Sequence, residues 1–159
     1  MTFEEVSAVD LDTLLVQQRS DVLDEAFAGL KRSPSSHYDH AGDEFTRDRL
    51  GELFDLVVTG LRDRQLGAVS AYCEGIAERR FSAGFDISEV QAAFNTLEEA
   101  MWRRVAAGVP AAELAESIGL LGTILGFGKD ALARRYVSLA TERRVRTLDL
   151  SELFEGTER

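Results

Sequence analysis

The sequence has one cysteine, one tryptophan, two prolines and two histidines, and each scarcity removes a class of protein. A single thiol, Cys73, allows no intramolecular disulfide, which suits a reducing cytoplasm. With only Pro34 and Pro110 to interrupt it, the chain is open to long helices, which its Ala, Leu, Glu and Arg favour. His37 and His40 share one short polar stretch, and no later histidine is available to hold a haem iron from a helix. No apolar run approaches the roughly 20 residues that span a bilayer. No charged start followed by an apolar stretch marks a signal peptide. The expected location is cytoplasmic. Cations are also in short supply: 18 against 28 acidic residues, for a net charge of −10. That surface repels nucleic-acid phosphates and anionic lipid, so neither is an expected partner.

What remains is ordinary globular material. At 159 residues and 45% hydrophobic, residues 1–159 read as a single domain with enough apolar mass for one core. Residues 1–9 form a short leader. From Asp10, Leu11, Leu14, Leu15, Val22, Leu23, Ala26, Phe27 and Leu30 recur at helical spacing. The polar stretch 33–42 reads as a loop, with Asp43 capping the next helix. Leu50, Leu53, Phe54, Val57, Val58 and Leu61 make an amphipathic stripe on that helix. A third helix carries Tyr72, Cys73 and Ile76 and ends at Gly84. The fourth begins at Asp86, with Glu89 completing a capping box and Phe85 and Val90 a hydrophobic staple, and runs to Gly108. Pro110 opens a fifth with the stripe Leu114, Ile118, Leu121 and Leu125, where clustered glycines suit a close crossing or a kink. A sixth runs through Leu132, Tyr136 and Leu139, and Leu148 to Phe154 reads as a short separate turn. No segment alternates with a period of two. The expected fold is all-α, a compact bundle of five to six helices.

Chemistry is harder to find. His37, Asp39, His40, Asp43 and Glu44 are metal-ligand types close together, but they lack a second spaced pair such as HExxH, so no metal or cofactor is expected. Cys73 lies on an apolar face with no histidine near it in sequence, which suits a buried structural thiol. Arg79-Arg80 and Arg103-Arg104 fall where helices are expected to end, as the helix dipole favours. Arg134, Arg135, Arg143 and Arg144 are left over as a basic face for a protein partner. Tyr72, Phe94, Met101 and Trp102 are the residues from which a small apolar ligand pocket would be built.

Three stretches carry a family resemblance: Leu53-Phe54-Asp55-Leu56-Val57, Tyr72 through Arg80, and above all Gly84-Phe85-Asp86-Ile87-Ser88-Glu89-Val90-Gln91-Ala92-Ala93-Phe94. With the Met101-Trp102 pair that follows, residues Ser36 to Val105 resemble the N-terminal sensor domain of RsbT co-antagonist proteins, the RsbRD type. The resemblance implies a globin-like, haem-free helical domain, usually a homodimer, upstream of an output module. The helix from Lys129 onward (129–159) would be the natural connection to such a module. It also implies no catalytic residues. The function expected is therefore a non-enzymatic regulatory sensor and protein-interaction module in bacterial stress signalling. The rivals are a small-molecule carrier built on the aromatic pocket and a metal-dependent enzyme built on residues 37–44.

Overall fold

The computed structural model describes the backbone of residues 6–33 and 36–155 and the side chains of 11–33 and 37–148; the greater part of the 1–9 leader and the tail beyond Glu155 lie outside these. Seven helices and no strand occur among the described residues: α1 (Val6–Gln17), α2 (Arg19–Arg32), α3 (Ser36–Ala41), α4 (Asp43–Asp63), α5 (Leu66–Ser82), α6 (Ile87–Gly108) and α7 (Ala111–Glu155). The all-α expectation holds, but the helix count and several boundaries need correction.

The helix expected from Asp10 starts at Val6 and breaks at Gln18, where ψ of 15° leaves the helical range. The break lets each half bury its own stripe: Leu11 and Leu15 in α1, Val22, Ala26 and Leu30 in α2. The polar stretch expected as a loop contains α3. Its one buried apolar residue, Tyr38, is too little to show a period. Asp43 is not the cap of α4. Gly42 occupies that position at φ +97°, and Asp43 stands in the first turn, paired to Lys31 at 2.6 Å.

The junction between α5 and α6 is as the local chemistry dictates. Gly84, at φ +86°, takes the left-handed position after α5. The Gly84 and Phe85 amides donate to the Phe81 and Arg80 carbonyls, closing a Schellman turn. Asp86 and Glu89 then form the capping box of α6, with staple residues Phe85 and Val90 both buried.

The fifth and sixth expected helices and the terminal turn are one helix, α7. No proline interrupts 111–155, and its glycines keep helical dihedrals because packing, not propensity, holds the helix together. Its stripe is also displaced from the expected one. Leu121, Ile124, Leu125, Ala131, Leu132 and Tyr136 are buried, whereas Ile118 faces out. Gly128 is where the close crossing falls: a Cβ there would stand 3.0 Å from Cys73 Sγ of α5 and 3.4 Å from Phe94 of α6. α7 packs chiefly on α5 and α6 and is the spine of the bundle. Within Ala111–Leu148 it is also long and apolar enough, by length and composition, to cross a membrane, with a mean hydropathy of 1.2 over its best window. The expectation that no such stretch exists therefore needs this correction. The apolarity of α7 is divided between the core-facing stripe and an outward face described below.

Candidate functional site

The most concentrated chemistry lies where α3, α4, α5 and the start of α6 meet. Glu89, nine-tenths buried, accepts from the His37 amide at 3.2 Å and the Asp86 amide at 3.0 Å. His37 Nδ1 lies 2.7 Å from the oxygen that accepts from Asp86. One carboxylate thus ties α3 to α6 across 52 residues of sequence. Burial pushes the Glu89 carboxyl up, but the two amides and the adjacent imidazole outweigh it and hold it below its ordinary value.

Beside it, Arg80 is only 6% exposed, an unusual place for a guanidinium. Its cationic carbon sits 5.0 Å from the Phe45 ring centre and 5.6 Å from that of Phe85. The buried Tyr38 ring meets Phe85 edge-on at 4.8 Å, and the Tyr136 hydroxyl donates to the Phe85 carbonyl at 3.2 Å. Burial raises the Tyr38 phenol, opposed by the Arg80 charge, and raises that of Tyr136 to about 12. Both phenols are therefore neutral at any physiological pH. Sequence reasoning missed the cluster. It read Arg80 as a dipole partner at a helix end, which is its backbone position, and nothing local shows that the side chain turns inward.

The expected ligand residues do not gather into one pocket. Phe94 is buried and borders a void of about 20 Å³, Met101 is buried in the core, and Trp102 is 42% exposed. Tyr72 is half-buried, and its hydroxyl donates to Glu52 at 2.9 Å. The arginines expected to form a basic face divide. Arg134 pairs with Asp130 at 2.6 Å and Arg135 with Glu78 at 3.0 Å, beside a shallow groove that also contains Glu74. Arg143 and Arg144 are exposed without an ion pair among the described residues. Arg103 and Arg104 stand short of the last turn of α6 and grip Glu25 of α2 instead, at 3.0 and 3.3 Å. In the stretch proposed as a metal site, His37 is engaged by Glu89 and Asp43 by Lys31. No three ligand-type side chains converge on a cation position among the described residues.

Cys73 is fully buried, and burial pushes its thiol from 9.0 to about 12. A shift of that size leaves about a thousandfold less thiolate near neutrality. Native protein is expected to be inert to a disulfide thiol reagent over hours, with one thiol reacting promptly in urea. Rapid native labelling would show that α5 opens against α7.

The second notable feature is the outward face of α7. Ala115, Ile118, Gly119 and Thr123 are exposed and Gly122 and Gly126 partly so; a Cβ at Gly119, Gly122 or Gly126 would meet nothing within 4 Å. Farther along, Val137 is 65% exposed, Val145 50% and Leu148 57%. The ion pair of Lys129 with Glu98 and its hydrogen bond to Asn95 set the register of α6 against α7. One turn nearer their Val109-Pro110 link, exposed Trp102 comes level with Gly122 to Gly126. The helices leave one long face of α7 bare while much of the charge elsewhere is taken up in caps and ion pairs. The profile of the RsbT co-antagonist protein rsbRD N-terminal domain matches residues 17–152, and the chain belongs to that family, a regulatory component of stress signalling. No curated protein matches the chain.

Proposed function

We propose that the chain is a non-enzymatic cytoplasmic sensor and interaction module that pairs with a second copy along the outward face of α7, in a globin-like, haem-free arrangement. The observation that carries this is the continuity of that face. From Ala115 to Leu148 the exposed positions of α7 are small or apolar apart from Glu116, the Asp130–Arg134 pair, Glu142 and the arginines at 143, 144 and 146. Small residues let two helix backbones approach closely. Val137, Val145 and Leu148, at helical spacing, supply apolar contact beyond the bundle. A net charge of −10 disfavours nucleic acid and anionic membrane, which leaves a protein partner in the signalling pathway as the receiver.

Native mass spectrometry at micromolar concentration is expected to give a two-copy mass without added ligand. The double substitution Val137→Glu with Val145→Glu is expected to weaken pairing by about a hundredfold or more, because each charge must be desolvated at the interface. Its helical circular dichroism is expected to be unchanged. A wild-type chain that stays monomeric would refute the pairing.

A further inference from the structure

Arg80 has no carboxylate partner at ion-pair distance among the described residues, although it is more than nine-tenths buried. Its Nε is sealed from solvent and makes no hydrogen bond. The Nε of Arg49 is buried and unpartnered in the same way, while its Nη1 reaches Glu52 at 3.1 Å. Both arginines line the void of about 20 Å³ between α3, α4, α5 and α6, together with Tyr38 and Thr46. The rest of the wall is apolar, with Leu50, Leu53 and Phe94 among its residues.

Arg49 is balanced by Glu52, but Arg80, whose side chain hydrogen-bonds only the neutral Tyr38 hydroxyl, has no ion pair among the described residues, and no carboxylate lines the space. The Thr46 hydroxyl already donates to the Gly42 carbonyl at 2.9 Å. Guanidinium cannot lose its proton, so burial cannot neutralise it as it would a lysine. The ring faces of Phe45 and Phe85 compensate only part of the charge. A water molecule in the void would accept from the orphaned N–H groups but leave the charge unbalanced; an anion does both. The space is of the size that one water-sized particle occupies.

We propose that this void binds one small monovalent anion of the halide type, chloride in the cell, held between Arg80 and Arg49. The anion locks α3 and α4 onto α5 and α6, so its binding reports on the packing of the bundle. Nothing in this depends on pairing through α7.

The test is thermal unfolding of the full chain in sodium gluconate, with chloride or bromide replacing gluconate at constant ionic strength. A saturable rise in Tm is expected, on the order of 5 °C at a hundredfold excess over Kd. Arg49→Gln, a change at a partly exposed side chain, is expected to abolish most of that rise, and Arg134→Gln, at the surface, to preserve it. Should Arg49→Gln not fold, the anomalous signal of bromide in crystals of the wild-type chain decides, with a peak expected in the void beside Arg80. A Tm indifferent to halide, a rise that survives Arg49→Gln undiminished, or an empty void in the bromide map overturns the proposal.

Discussion

Glu89→Ala is expected to cost about 3 kcal/mol of folding stability. The substitution strips the acceptor from two amides, His37 and Asp86, and removes the contact with His37 Nδ1. Each buried donor left unsatisfied costs about 1–3 kcal/mol, and a domain of this kind has about 5–15 kcal/mol in total. Glu89→Gln, which keeps one acceptor oxygen, should lose less. The carboxyl is held below its ordinary value of 4.5 in the folded state, so its contribution is complete above that value and fades as pH falls through the lower folded one. Urea midpoints of the wild type should therefore fall more steeply than those of Glu89→Ala between about pH 5 and 3. Parallel pH profiles would show that the carboxylate does not hold the junction.

A second large effect is expected on the spine. Gly128→Leu forces a branched side chain into Cys73 Sγ and Phe94, where even a Cβ is too close at 3.0 Å. Overpacking of this kind costs about 3 kcal/mol at the upper end of its usual range, since α5, α6 and α7 all meet there. Gly122→Ala, six residues earlier on the same helix, should do the opposite. Its Cβ meets open space, and the gain in helix propensity is about 0.5–1 kcal/mol per residue. The bulkier Gly122→Leu separates two roles. It should leave the bundle intact by circular dichroism yet weaken pairing of two copies. Equal melting temperatures for Gly128→Leu and the wild type would show that the crossing is loose.

These contrasts explain how far the sequence could be read. The α5–α6 junction was legible residue by residue because Gly84, Phe85, Asp86, Glu89 and Val90 act on neighbours within one turn. So was the core of α4, whose stripe is unmixed. Where periodicity had to be read across glycines it failed. The gaps at 119, 122, 126 and 128 look like interruptions, yet three of them face out and one, Gly128, lies against Cys73 and Phe94. The six residues of α3 carry a single buried anchor, too few to betray a helix. The candidate sites were least legible, because their partners are joined only by folding: Glu89 to His37, and Arg80 to Phe45 and Arg49. Residue type pointed to Tyr72, Phe94, Met101 and Trp102 as an apolar pocket. Their neighbourhoods range from a sealed core to open solvent, because adjacent positions such as Met101 and Trp102 point about 100° apart around one helix.

The length of α7 has a mechanical consequence. Its first half is packed against α1, α4, α5 and α6, while residues 141–148 are exposed on all sides and the backbone stays helical to Glu155. The overhang from residue 141 is about 20 Å long at the usual rise per residue. A stiff rod clamped at one end acts as a lever arm. A tilt of about 10° where it leaves the bundle displaces its tip by roughly 3–4 Å, with no hinge along the way to absorb the motion. Small rearrangements among Leu121, Ile124, Leu125 and Leu132 would thus reach the far end enlarged rather than damped.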